Sequence, residues 1–436
     1  MSTHRKDKAA DSPVVRLARG WSRRRTWVAG WLLAALWAGF FPLCSDHRAH
    51  RIWGLFAAVG YVLAAAAACR LPRPRARPAA LGFALAGAVV LPILHLALTG
   101  QAQSEVRVIE RAGALLLEQG TPYLPHPRDS LDYTPYLPGM ALFGMPRVLL
   151  GDGPGALRLL GDARLWCAAA FFICLCVGRT VLARAAGGDE EEARGTARTY
   201  ATSLSVLVAS PLIAMPICVS GVDLPLTGLC CLAIALTGVR RPVAAGLVLA
   251  AACSLKWTAL PAIVVAVVLL ARLGGSRPAV RCALAAVGGT VVLVLPSALV
   301  SPGPMVQQVL AFPTGRGDVA TPAVGPMPGQ LLASSGSLGW YAAVLLLALG
   351  GTAMAVWLVV RPPATAVAAA DRLGAGLCLA FLLAPAGRFG YFALPLFLML
   401  WIRQADPVHR RKARRPASLT LSPRSARVPT ASLLRD

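Results

Sequence analysis

The sequence predicts an all-α protein, a polytopic transmembrane helical bundle of about twelve spans, and three observations carry that expectation. The 436 residues are 56% hydrophobic and 14% charged, with a mean hydropathy of +0.63, outside the range of soluble globular chains. Apolar runs recur along the whole chain and are separated by short basic or Pro/Gly-rich punctuation. The basic segments fall on alternate connections, as they do when one side of a bilayer collects Lys and Arg. The net charge of +24 is therefore assigned to topology and anionic head groups, and no nucleic-acid partner is implied.

Taken in order, residues 1–26 form a basic arm, MSTHRKDKAADSPVVRLARGWSRRRT, expected in the cytoplasm. The first apolar run follows it with no A-x-A cleavage pattern and reads as a retained anchor. Spans are placed near 27–44, 52–69, 79–99, 165–183, 201–219, 222–238, 243–256, 257–272, 282–300, 338–360, 364–386 and 389–402. Together, 27–403 make one transmembrane domain. The segments RLPRPRARP at 70–78, 184–198, Arg240–Arg241, 272–281, Arg361 and the RQADPVHRRKARR tail share one side. By the positive-inside rule that side is the cytoplasm, with both termini there and the chain in the plasma membrane. The short loop SDHRAHR at 45–51 breaks the pattern. Residues 404–436 are rich in Arg, Ser and Pro and are expected to be a disordered cytoplasmic tail.

Two long segments, 100–163 and 301–337, then fall outside. The first opens QAQSEVRVIERAGALLLEQGTPYLP. Ser104 is a candidate N-cap, Gly120 with Pro122 a stop, and Ile109, Ala112 and Leu116 form one apolar stripe. This predicts an amphipathic helix lying in the outer interface, with Glu105, Glu110 and Glu118 near its polar side. Beyond it, HPRDSLDYTPYLPGMALFGMP is interrupted by prolines and carries Tyr133 and Tyr136, which with Tyr123 suit an interfacial aromatic belt or a substrate platform.

The chemistry-bearing residues are few. Lys256, in CSLKWTALP, lies between two strongly apolar runs, at the outward turn of the seventh and eighth spans. A lysine at membrane depth faces a cavity or a counter-charge. Arg388, in APAGRFGYF, falls at the outer end of the eleventh span. Either cation alone could be a snorkelling anchor. Together, beside a large external loop, they suggest a phosphate site. Glu105, Asp132 and Asp223 are the candidate carboxylates, and the dipole of the interfacial helix would keep Glu105 ionised. The 11 cysteines lie mostly in apolar runs (Cys69, Cys174, Cys176, Cys230, Cys231, Cys253, Cys378) with no metal-type spacing, so no metal is expected. Neither GxxxxGK[ST] nor a strand-bound GxGxxG occurs, and no cofactor is implied.

The stretches SEVRVIERAGALLLEQGTPYL, YTPYLPGMALFGMP, SGVDLPLTGLCCLAIAL, AAGLVLAAACSLKWTALP and APAGRFGYFALPL resemble polyprenol-phosphate-sugar-dependent glycosyltransferases of the GT-C type. Within that type they are most similar to the actinobacterial membrane proteins of glycosyltransferase family 87, over roughly residues 90 to 402. The resemblance implies a hexosyltransferase, with mannose the expected sugar. The donor would be a polyprenyl monophosphate sugar and the acceptor a glycan or glycolipid at the outer face of the bilayer. It puts the catalytic base at Glu105, where the family usually has Asp, and the donor phosphate on Lys256 and Arg388. Tyr133, Tyr136, Asp132 and Asp223 are left as possible substrate contacts. The first two spans lie outside the resemblance. The rivals are a secondary transporter or lipid flippase, which twelve spans and intramembrane charges also suit, and a non-catalytic member that binds a prenyl lipid.

Overall fold

The computed structural model describes residues 13–151, 153–187 and 190–414. The outermost parts of the expected arm (1–12) and tail (415–436) lie outside the described residues. Apart from one isolated bridge between Val324 and Gly387, the described residues are helices and their connections. Eight helices are long and apolar enough to cross a membrane: Arg24–Cys44, Arg48–Arg70, Arg73–Leu98, Ala163–Ala186, Trp257–Gly274, Ser276–Val300, Ser337–Val360 and Ala366–Leu383. A bent pair, Gly195–Ala209 and Pro211–Val219, passes the same test together, and three shorter apolar helices (Leu224–Gly238, Pro242–Leu255 and Phe389–Ala405) complete the bundle. Each of these elements corresponds to an apolar run of the sequence.

The differences from the expected boundaries have local causes. The first helix begins at Pro13, so the Arg-rich stretch extends a span instead of standing apart as an arm. The segment 70–78 is not a loop, because the next helix starts at Arg73 after a turn at Leu71–Pro72. The run 201–219 is not one straight helix. It bends by 64° where Pro211 follows Ser210, since proline supplies no N–H to continue the ladder. The beginning of the tail is also ordered, as a helix Pro407–Arg414.

Backbone groups released at such breaks find partners, as an apolar interior requires. The Tyr61 hydroxyl donates to the Ala209 carbonyl at 2.6 Å, beside the bend. A π-type turn at Ala86–Val90 widens the third helix, and Trp53 Nε1 donates to the Ala88 carbonyl at 2.9 Å. Gly60 and Gly87 meet there, and a Cβ on Gly60 would come within 2.7 Å of the Gly87 Cα. Only glycine allows those two helices so close. The tightly buried core carries Trp53, Tyr61, Phe171, Phe397 and Trp401, while many leucines of the outer helices stay exposed, as a lipid-facing surface requires.

All ends that adjoin 100–163 lie at one end of the bundle. Gln103 N donates to the Val219 carbonyl, and Leu137 N donates to the Leu255 carbonyl. The hydroxyls of Thr121 and Ser301 are hydrogen-bonded. The loop 45–51 belongs to this end too, with His50 Nε2 3.5 Å from Gln103 Oε1.

Candidate functional site

The amphipathic helix of the long loop runs Ser104–Gln119. Gly120 ends it in the left-handed region at φ 73, which glycine adopts without a Cβ penalty. Ser104 is the first helical residue, not the cap. Gln103 holds the cap position, with no side-chain capping bond. The helix buries Val106, Val108, Ile109, Ala112 and Gly113, and so rests on protein along that stripe instead of floating on lipid. Glu105, in its first turn, points into a cleft.

That cleft encloses about 1220 Å³ of empty space, its open mouth included. Glu105, Tyr133, Tyr136, Lys256, Arg388 and Tyr391 all line it. They come from the first loop, the turn after Pro242–Leu255 and the turn before Ala393–Ala405. Arg388 Nη1 donates to Glu105 Oε1 at 2.7 Å, and Lys256 Nζ donates to Asp223 Oδ1 at 2.9 Å. Each predicted cation therefore has a carboxylate counter-charge, and both pairs are largely shielded from solvent. Lys256 has extended backbone at the end of its helix, and the following short turn Trp257–Ala259 lifts its side chain out of the helical array. Its ammonium lies 4.8 Å from the centre of the Tyr391 ring and 5.7 Å from that of Tyr136. The Asp223 carboxylate and the faces of the two rings favour the charged ammonium.

The tyrosines of the loop do not form a lipid-facing belt. Tyr123, Tyr133 and Tyr136 are all buried. Tyr123 donates to the Tyr136 carbonyl at 3.0 Å, and Tyr133 stacks on Phe312 with ring centres 4.3 Å apart. The Tyr133 hydroxyl has no hydrogen-bond partner among the described residues, although the ring lines the cleft. Asp132 is turned elsewhere. Its Oδ2 accepts from Arg128 N and Asp129 N, and its Oδ1 lies 3.8 Å from Arg111 Nη1. Those backbone donors hold its carboxyl below the usual range. Asp223 reaches the site through Lys256 and does not line the cleft itself.

Two participants carry no sequence signal strong enough to single them out. Tyr391 stands three residues after Arg388, and the short turn Phe389–Phe392 brings it back onto Lys256. Gln308 is fully buried in the second loop. Its Oε1 accepts from Thr134 N at 3.0 Å, and its Nε2 donates to the Leu124 carbonyl at 2.6 Å, pinning one loop to the other. A glutamine within an apolar Pro/Gly-rich stretch was the available hint. Among the described residues, no group of three or more His, Cys, Asp or Glu is arranged to hold a metal ion. Comparison with protein-family models, curated proteins and solved structures finds no match.

Proposed function

We propose that this chain is a membrane glycosyltransferase that moves a hexose, with mannose first in line, from a polyprenyl monophosphate donor to a hydroxyl of a glycan or glycolipid acceptor. The observation that carries the reading is the pairing of Glu105 with Arg388 at 2.7 Å, across 283 residues, in a cleft that Lys256 also lines. A base and two cations at one cavity wall suit transfer from a glycosyl phosphate.

In this reading the donor phosphate displaces the carboxylates as the main partner of Lys256 and Arg388, which neutralise the departing polyprenyl phosphate. Glu105 accepts the proton of the acceptor hydroxyl. The hydroxyl oxygen forms the new bond to the anomeric carbon, the bond from that carbon to the phosphate oxygen breaks, and the configuration inverts. The unpartnered Tyr133 hydroxyl supplies a donor for a sugar oxygen. The cleft is also lined by the apolar side chains of Leu347 and Phe381, which suit the first part of a prenyl tail. The cleft orders the candidate carboxylates, since Glu105 lines it while Asp132 and Asp223 do not. Against a transporter, the charges gather at one end of the bundle, where the long loops close over them, and not at its middle.

The test is transfer from a polyprenyl-phosphate-linked mannose by the full chain in proteoliposomes, comparing the native protein with Glu105→Gln. Normal transfer by that variant removes the base from Glu105. No transfer by the native protein with any such donor, alongside uptake or flipping of the lipid, gives the reading to the transporter class.

A further inference from the structure

The interfacial helix Ser104–Gln119 borders a second cavity on its other face. At about 100° per residue, Ser104, Glu105 and Val108 occupy one sector, while Val106, Arg107 and Glu110 occupy the opposite one. The first set lines the cleft and the second lines a separate groove of about 820 Å³ of empty space. Four arginines and two carboxylates border that groove: Arg107, Arg147, Arg158 and Arg164, with Glu110 and Asp162.

The carboxylates are already engaged. Asp162 takes Arg164 at both oxygens, Nε to Oδ1 at 2.9 Å and Nη2 to Oδ2 at 2.6 Å, and Arg164 Nη1 donates to the Cys218 carbonyl at 2.6 Å. That buried pair forms a rigid floor. Glu110 Oε1 accepts from Ala163 N at 3.3 Å and lies 3.4 Å from Arg147 Nε. Burial, reinforced by the neighbouring Asp162, raises the Glu110 pKa against the pull of Arg147. Among the described residues, Arg107 and Arg158 have no carboxylate within ion-pair distance, and Arg158 Nη1 donates to the Leu98 carbonyl at 3.4 Å. The groove is thus net cationic, with two arginine forks to offer.

Its walls point to the bilayer. The short helices Met145–Leu150 and Ala156–Gly161 place Arg147 and Arg158 in the groove and leave Leu149, Leu157 and Leu160 exposed, Leu149 at 75%. Trp166 stands beside them, also exposed, with its Nε1 donating to the Leu160 carbonyl at 2.7 Å. Arginines bordered by exposed leucines and a hydrogen-bonded tryptophan suit the level of the lipid head groups.

We propose that this groove binds the phosphate of an anionic phospholipid, held by Arg107 and Arg158, with the acyl chains lying along Leu149, Leu157, Leu160 and Trp166. Guanidinium forks match phosphate geometry, and a weakly hydrated arginine tolerates the interface better than lysine does. The inference is independent of the transferase reading, because it uses neither Glu105 nor the cleft.

The experiment titrates the full chain, in a neutral detergent, with fluorescent phosphatidylglycerol, phosphatidylcholine of the same chains, and glycerol 3-phosphate as a soluble competitor. The native protein should bind phosphatidylglycerol more tightly than phosphatidylcholine, and glycerol 3-phosphate should compete only far more weakly. Arg107→Gln and Arg158→Gln should each weaken phosphatidylglycerol binding about five-fold, and together about 25-fold, with phosphatidylcholine unchanged. The double Lys variant should bind phosphatidylglycerol more weakly than the native protein but more tightly than the double Gln variant, because it keeps the charge and loses the fork. Glu105→Gln should bind the lipid normally, even where it abolishes transfer, so the two readings fail separately. Basic residues at the opposite end of the bundle contribute the same background to every variant. Unchanged phosphatidylglycerol affinity in the double Gln variant overturns the site, and equal competition by glycerol 3-phosphate overturns its assignment to a lipid. If the double variant fails to fold, the exposed Arg107→Gln alone decides.

Discussion

The carboxylate of Glu105 accepts a hydrogen bond from Arg388 at 2.7 Å, joining the start of the first long loop to the turn before the last apolar helix. The contact holds both side chains at the cleft wall. In the proposed reaction the arginine would turn from Glu105 to the donor phosphate and leave the carboxylate to the acceptor hydroxyl. The first prediction comes from this pair. Glu105→Gln should keep the size and part of the hydrogen bonding, bind donor, and transfer sugar on the order of 100- to 10,000-fold more slowly. Glu105→Asp should retain measurable transfer. Single-turnover assays in proteoliposomes, with donor binding measured separately, check both.

Lys256 and Asp223 should behave as a coupled pair. Lys256→Met leaves a carboxylate without its partner, and Asp223→Asn leaves the ammonium without its nearest counter-charge. Thermal unfolding of the two single variants and the double should give a coupling of about 0.5–3 kcal/mol. Donor binding separates their roles, since Lys256→Met should weaken it and Asp223→Asn should not. Additive stability effects would show that the contact does no more than the sum of two surface positions.

Gln308→Ala should loosen the two long loops from one another. The substitution leaves Thr134 N and the Leu124 carbonyl without their side-chain partner, which costs about 1–3 kcal/mol for each buried polar group left unsatisfied. Limited proteolysis should then cut within 120–137 or 301–327 sooner than in the native protein. Transfer should fall through a weaker KM for donor more than through kcat, since Gln308 positions the cleft and does not line it.

Orientation is the remaining expectation. An epitope inserted after the exposed Glu118 should be accessible from outside intact cells, while one added at the C-terminus should not. Accessibility of residue 118 from the cytoplasm alone would move Lys256, Arg388 and Glu105 together to the inner face, because all three lie at the same end of the bundle.

The apolar runs by themselves determined the helical class and the order of the apolar segments, and they put Glu105, Lys256 and Arg388 at one end of the bundle, while eight helices, not twelve, are long and apolar enough to cross a membrane. Those properties follow from local composition and from alternation of direction between successive helices, so they survive any detail of packing. The amphipathic stripe at 104–119 was legible for the same reason, and Gly120 marked its end. The tertiary structure alone decided the partners. No spacing rule could pair Glu105 with Arg388, match Lys256 to Asp223, bring Tyr391 onto the ammonium or decide between a belt and a substrate platform for the three tyrosines, which are buried. Ion pairs form where folded helices converge, and a one-dimensional pattern carries the charge but not the distance.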